Sequence, residues 1–236
     1  MNAVPLPEPP VIDEELDLIE SLVPLSEARV IELGCGNARL ARLLLERHPG
    51  ATVTGLEVDE RQHASNLAAP CERLRFALAG AQAVPCPDAS FDLAVMLKSL
   101  HHVPTPLMGQ ALDEVARVLR PGGHLYVSEP EYRGSLNELV RLYNDEREVR
   151  AAAQAALDAA LRGGRWAAAG ERRFLQTARF ASFEDFETRM MRPTFADHGL
   201  TDALVARVRA AFEPHCGPGG AQFVRPLHVR LLRRLH

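Results

Sequence analysis

Glu32 is a carboxylate at the end of the apolar run "RVIEL". It stands directly before the glycine turn "GCGNA", and the helix-forming stretch "ARLARLLLERH" follows. Glycines between a strand and a helix let the backbone approach a ligand closely, and a helix start offers N–H groups that no carbonyl has taken. The turn could hold a triphosphate, a dinucleotide or another adenine-bearing cofactor, or it could be a bare connection. A triphosphate loop needs Gly-Lys-Ser/Thr, which is absent. A dinucleotide turn wants G-x-G-x-x-G; Gly34 and Gly36 comply, but the third position is Arg39, too bulky for close helix–strand packing. Glu32 would also repel a pyrophosphate, whereas it would attract an ammonium. A second carboxylate, Glu57, closes the run "VTGLE" 21 positions after Gly36. An acid there can hold two ribose hydroxyls. Val58 follows and could press on a flat base. Together these residues describe a ligand with an amine, a ribose and an aromatic base, but no phosphate.

Further along, "KSLHHV" supplies His101 and His102, and "VSEP" supplies Glu129. Histidine titrates near neutrality and suits proton transfer. Glu129 could orient an acceptor or take a proton. Each has a plainer reading: the histidine pair orders the loop before the next helix, and Glu129 caps a helix or pairs with an arginine. Tyr132 and Tyr143 could line an acceptor site or simply pack. Cys86 follows a proline but precedes the strand "FDLAVMLK", the wrong side of it for a cytosine-type nucleophile. The four cysteines form no CxxC pair. No zinc site or disulfide framework is expected, and a reducing, cytoplasmic compartment is.

The elements that must position these residues alternate. "RVIEL", "ATVTGLE", "RLRFALA", "FDLAVMLK" and "GHLYVSEP" read as strands, with "ARLARLLLERH", "DERQHASNLAA" and "PLMGQALDEVARVL" as helices between them. That alternation predicts a parallel sheet covered on both faces. "DEELDLIESLV" has helical spacing, after a proline-rich lead-in over residues 1–12. Beyond Pro130 the pattern changes. Residues 134–162 read as helix, ended by Gly163 and Gly164. "RFLQTARFA" is strand-like, helices follow near 184–191 and 201–213, and "AQFVRPLHVRLLRRL" reads as a closing strand.

The chain has 236 residues, with 27 Lys and Arg against 31 Asp and Glu, for a formal charge of −4. The length suits one large α/β domain with an appended lid. No basic excess points to nucleic acid. No apolar run reaches the ~20 residues of a membrane span. The N-terminus lacks the basic start and apolar core of a signal peptide.

S-adenosylmethionine carries the groups that Glu32, the glycine turn, Glu57 and Val58 describe. Four blocks in register carry a resemblance to known sequences: "VIELGCGNARLARLL", "VTGLEVD", "AVPCPDASFDLAVMLKSLHHV" and "EVARVLRPGGHLYVSEP". Over roughly residues 29–130 the chain resembles the class I S-adenosylmethionine-dependent methyltransferases, in the small-molecule branch that includes the ubiquinone and menaquinone methyltransferases. The resemblance implies a doubly wound α/β fold with a seven-stranded, mostly parallel, Rossmann-like sheet whose last strand is antiparallel. It implies one domain over 1–236, with a cofactor-binding core at 13–130, a helical lid at 131–190 inserted after strand five, and a C-terminal helix and strand at 191–236. It also implies that Gly34, Cys35, Gly36 and Asn37 hug the methionine part of the cofactor. Glu32 would anchor its ammonium, Glu57 the ribose and Val58 the adenine, while Leu97 and Lys98 line the sulfonium side.

One block departs from the family. Relatives carry Gly-Asp-Ala-Glu where this chain has "AGAQ", so Gly80 stands in place of the acid that accepts from the adenine amino group. Gln82 or a water could substitute, and Ala81 is expected to offer its backbone N–H to the ring. The expected activity is direct methyl transfer to a small-molecule acceptor, with O- or C-methylation favoured because nucleic-acid signals are missing. The alternatives are a non-catalytic S-adenosylmethionine-binding protein, and an aminopropyl or carboxymethyl transfer on the same fold. The lid could equally be a homodimer interface.

Overall fold

The computed structural model of the protein describes residues 8–194 and 196–236. Helix α1 (Glu15–Leu22) leads into β1 (Arg29–Leu33), α2 (Arg39–Arg47), β2 (Thr52–Glu57), α3 (Glu60–Ala68), β3 (Leu74–Leu78), β4 (Phe91–Leu97), α4 (Met108–Val118) and β5 (Leu119–Pro130). Then come α5 (Ser135–Val140), α6 (Arg147–Arg162), β6 (Trp166–Phe180), α7 (Phe183–Phe186), α8 (Asp202–Phe212), β7 (Cys216–Gly217) and β8 (Gly220–Arg234).

The sheet runs in the order β3-β2-β1-β4-β5-β8-β6, with β7 paired to β8. Strands β1 to β5 pair in parallel, and β8 is antiparallel to both β5 and β6. The chain winds outward from β1 in one direction and from β4 in the other. The loops leaving these two central strands therefore part, and a crevice opens above their carboxyl ends. Glu32 and the glycine turn lie on one side of that crevice, and Leu97 and Lys98 on the other.

The alternation of side chains along each strand builds two cores. Val30, Val53, Leu93 and Val95 face α1 and α2, where Leu16, Ile19, Leu40 and Leu44 meet them. Ile31, Leu33, Ala94, Met96 and Val127 face the other way, onto Leu112 and Val115 of α4 and Ala153 and Leu157 of α6. A fully buried side chain such as Ile31 contributes about 1.5–3 kcal/mol by leaving water. A third core lies beyond the sheet's carboxyl edge. Phe180, Phe183, Phe186, Phe212 and Phe223 pack there in edge-to-face and tilted pairs, fastening α7 and α8 to the ends of β6 and β8.

One expectation needs correction. The span 131–190 is not a purely helical lid: its helical part is α5 and α6, and residues 166–180 form β6, the edge strand beside β8. Exposed charges on both faces of β6, at Glu171, Arg172 and Arg179, break the apolar pattern that marks a buried strand. The sheet has the seven strands expected, and the short β7 adds a hairpin with the start of β8. Of the lead-in 1–12, residues 1–7 lie outside the described residues. Val11 bridges to Leu175 of β6.

Candidate active site

The glycine turn is built by its own backbone. The amides of Gly34 and Cys35 both donate to the Leu56 carbonyl at 2.9 Å, so the turn leans over the end of β2. Gly34 has φ +73°, and a Cβ there would meet the Ser99 Cβ at 2.8 Å, so only glycine fits. Ser99 in turn donates to the Leu33 carbonyl at 2.7 Å, tying the loop after β4 to the end of β1. Gly36, with φ +51°, would have nothing within 4 Å of a Cβ, so its face is open to a ligand.

Glu57 holds this turn from the side. Its carboxylate accepts from the amides of Gly36, Val58 and Asp59 at 2.8, 2.8 and 3.0 Å. A residue that the sequence reading missed completes the clamp. Asn66 of α3 is buried and donates to the Gly36 carbonyl at 2.7 Å. The only sequence signal was an amide on an otherwise polar, weakly patterned helix.

Glu32 is 5% exposed, and its Oε2 has no hydrogen-bond partner. Burial lifts its carboxyl to about 8, against smaller opposing pulls from the Ala41 backbone and then from Lys98. A buried carboxylate oxygen without a partner costs free energy unless a donor arrives. An ammonium group is such a donor. Cys35 beside it is buried, and burial pushes its thiol well up, so it packs and does not react.

At the outer end, Val58 is 62% exposed, and Leu78, in register with Glu57 across β2 and β3, is 49% exposed. Two apolar side chains open to solvent at a strand edge form a surface that a flat ring would cover. Gln82 folds back over Gly80: a Cβ on Gly80 would stand 2.5 Å from the Gln82 Oε1. The amide of Gln82 thus fills the space that a side chain at position 80 would take. Ala81 is buried, and among the described residues nothing accepts from its N–H.

The residues named from the sequence divide into two groups. Glu32, Gly34, Cys35, Gly36, Glu57 and Val58 gather at the carboxyl ends of β1 and β2. Leu97 and Lys98 stand across the crevice on β4. Lys98 adopts φ +56°, its amide donates to the Ser128 carbonyl at 2.7 Å, and its Nζ meets Glu15 of α1 at 3.1 Å. Asn37 accepts from the Arg39 amide at 3.2 Å, serving the start of α2.

His101 and Glu129 are both buried, and His101 Nδ1 bonds to Glu129 Oε2. Glu129 Oε1 accepts the Leu100 amide at 2.9 Å. The carboxylate on Nδ1 fixes the ring's orientation and turns Nε2 the other way. That Nε2 faces Glu146 at 3.9 Å, on the wall of a cavity of about 240 Å³. His102 stacks beside His101 with ring centroids 4.1 Å apart. Tyr143 lines the same cavity and donates to the Met190 carbonyl at 3.2 Å. Tyr132 lies under the Arg147 guanidinium instead. The cavity lies between the crevice and α5–α6, with Lys98 on its wall.

His101, His102 and Glu146 each bring one potential ligand atom within 4.8 Å of the others. The sequence expectation of no metal site rested on cysteine spacing and did not see this grouping. Glu146 already pairs with Arg150 at 2.5 Å, so a cation placed here would stand against a guanidinium.

Residues 31–127 match the family model described as a methyltransferase domain. The chain is 35% identical over 119 residues to the 27-O-demethylrifamycin SV methyltransferase of Amycolatopsis mediterranei, covering 48% of this chain and 43% of the relative. It is 34% identical over 119 residues to the ubiquinone biosynthesis O-methyltransferase of Paracidovorax citrulli, covering 48% of each. The chain thus spans about half the length of the curated relatives it matches. Among solved structures, the YcgJ protein of Bacillus subtilis superposes with a TM-score of 0.62 at 17% identity, over 93% of this chain and 97% of that one. That likeness bears on the fold.

Proposed function

We propose that the chain transfers a methyl group from S-adenosylmethionine to a small-molecule acceptor, a reading supported by the match of residues 31–127 to the methyltransferase-domain model. The observation that carries the reading is the buried Glu32 oxygen without a partner, set against the open face of Gly36. Both fit the aminoacyl end of this cofactor. Glu57, beside the turn, has lone pairs left for ribose hydroxyls, and Val58 with Leu78 offers the apolar edge for adenine. The Ala81 N–H and the Gln82 side-chain amide, folded over Gly80, would meet the ring. When bound, the cofactor supplies an electrophilic methyl group on a cationic sulfur.

The chain's own residues then have three tasks. Gly34, Cys35, Gly36 and Asn37 hold the donor end, with Leu97 and Lys98 across from it, so that the acceptor is met in line. Helices α5 and α6 cover the acceptor cavity and keep it dry; residues 13–130 form the cofactor half. His101 Nε2, with Glu129 behind it, takes the proton that a hydroxyl acceptor loses as its oxygen forms the new bond. No helix among the described residues is long and apolar enough to cross a membrane, in keeping with a small acceptor that diffuses in.

Calorimetric titration of S-adenosylmethionine and S-adenosylhomocysteine, with NADH as control, tests the cofactor. Micromolar binding of the first two and none of NADH is expected. A folded protein that binds neither would overturn the reading.

A further inference from the structure

The acceptor cavity is rich in arginine and lysine, and most of these cations are already matched. Lys98 meets Glu15 at 3.1 Å, Arg133 pairs with Glu131, Arg150 with Glu146 at 2.5 Å, and Arg189 with Asp185 at 3.0 Å. Arg225 also lines the cavity and, among the described residues, has no ion pair or hydrogen bond. Its position explains this. The pairing of β5 with β8 ends at Pro130 and Leu227. Arg225 lies two residues further out, where β8 overruns its neighbour and its side chain reaches over the sheet's end. Burial and the neighbouring Arg150 disfavour its charge, while Glu15 and Glu146 favour it without coming within ion-pair distance.

A second group in the same wall also lacks a partner. Asn137 of α5 is 6% exposed, and its Nδ2 is unsatisfied. Its orientation is fixed, because Arg150 donates at 2.9 Å to the other side-chain atom and a guanidinium can only donate, so that atom is the oxygen. Gly134, at the start of α5, is pressed onto β8: a Cβ there would stand 2.8 Å from Pro226. This contact brings Asn137 and Arg225 into one wall.

A half-buried guanidinium and a buried amide N–H₂, both without acceptors, are matched by a group with two acceptor oxygens and one negative charge. The acids on the same wall cannot serve. Glu131 is held by Arg133 and by Arg173 at 3.1 Å, and Glu146 by Arg150 and by Asn144 at 2.9 Å. We propose that the acceptor of this enzyme carries a carboxylate, gripped by Arg225 and Asn137 inside the cavity that His101 lines. The inference rests on the methyltransferase reading for the word acceptor, and on the cavity alone for the anion site. One unpaired cation matches a monoanion better than a phosphate dianion.

The test uses benzoate, its neutral isostere benzamide, and phenyl phosphate. Each is titrated into the full chain by calorimetry with and without saturating S-adenosylhomocysteine. Benzoate is expected to bind at least tenfold more tightly than benzamide. Arg225→Gln should abolish that preference, Arg225→Lys should keep part of it, and Asn137→Leu should reduce it several-fold. Unchanged melting temperature and S-adenosylhomocysteine affinity report that each variant is folded. Equal binding of benzoate and benzamide, no binding of either at millimolar concentration, or a preference that survives Arg225→Gln overturns the proposal. Tighter binding of phenyl phosphate than of benzoate overturns the carboxylate assignment. If benzoate is preferred but S-adenosylhomocysteine does not bind, the cofactor reading fails and the anion site stands.

Discussion

Glu57 accepts the Gly36 amide at 2.8 Å through one carboxylate oxygen, while its other oxygen accepts the amides of Val58 and Asp59. One side chain thus fixes the turn after β1 to the turn after β2, and both are walls of the proposed cofactor site. Glu57→Ala leaves three amides without their acceptor, and Glu57→Gln weakens each bond. S-adenosylhomocysteine affinity is expected to fall at least tenfold in the alanine variant. Calorimetry beside a thermal melt separates lost contact from lost fold: an unchanged affinity in a folded variant would remove Glu57 from the site.

Glu32 makes binding and stability depend on pH. Its carboxyl, lifted to about 8 by burial with Lys98, Glu15 and Glu57 around it, holds a proton near pH 7 in the free protein. Its ordinary value is 4.5, so the folded state keeps a proton that the unfolded state gives up between these values. Stability from this group therefore declines as pH rises from about 4.5 to about 8, and levels off above that. Glu32→Gln should flatten the decline, measured by urea melts at about pH 5 and about pH 8. A bound ammonium favours the carboxylate, so binding at neutral pH should release a proton. Titrations in buffers of different ionisation enthalpy read this directly. No release in the wild type, or the same release in Glu32→Gln, would place the ammonium elsewhere.

The His101–Glu129 pair predicts a split between binding and turnover. Once a hydroxyl acceptor is in hand, His101→Asn should lower kcat by roughly 10²–10⁴ with S-adenosylmethionine affinity unchanged. Glu129→Gln also disturbs the Leu100 amide, so its effect should extend to stability. A kcat that stays within a few-fold in His101→Asn would leave the pair with only the task of ordering the loop after β4.

Gln82 is expected to do part of the work of the missing acid at Gly80. Gln82→Ala should weaken S-adenosylhomocysteine several-fold, by about 1 kcal/mol for one lost hydrogen bond. Gly80→Asp alone should gain little, because the new side chain must displace the Gln82 amide. Gly80→Asp combined with Gln82→Ala should restore or exceed the native affinity. Additive losses in the double variant would show that neither position touches the base.

The phenylalanine cluster carries the attachment of α7 and α8. Phe212 is fully buried among Phe180, Phe183, Phe186 and Phe223. Phe212→Ala should cost about 3–5 kcal/mol, read from the denaturant midpoint at constant slope. A loss below about 1 kcal/mol would mean that this end of the molecule folds independently of the sheet.

The parallel half of the sheet was legible because its central strands β1 and β4 are almost wholly buried and read as short apolar runs. The turn at Gly34 and the acids Glu32 and Glu57 stood out because few folds need a glycine pair and two carboxylates at strand ends. β6 was harder to place. Its strand-like stretch was visible at 173–181, but an edge strand with charged residues outward does not announce that it belongs to the main sheet. Arg225 and Asn137 were invisible for a different reason. They come from a strand and a helix almost ninety positions apart in sequence, and each is ordinary on its own. Only the overrun of β8 past β5, and the pressing of α5 onto it, makes them neighbours of one cavity.

The bridge between Val11 and Leu175 has a consequence for how the molecule meets its own copies. The Leu175 amide donates to the Pro10 carbonyl at 2.8 Å, Ile12 donates back to Leu175 at 2.8 Å, and the Thr177 amide reaches Asp13 at 3.2 Å. β6 is the last strand on its side, and its outward amides would otherwise offer a template for a second chain. The segment just before α1 occupies that template with carbonyls of its own and with prolines that cannot extend a ladder. Around Leu175 and Thr177 the sheet's border is thus covered by the stretch of chain that precedes its first helix.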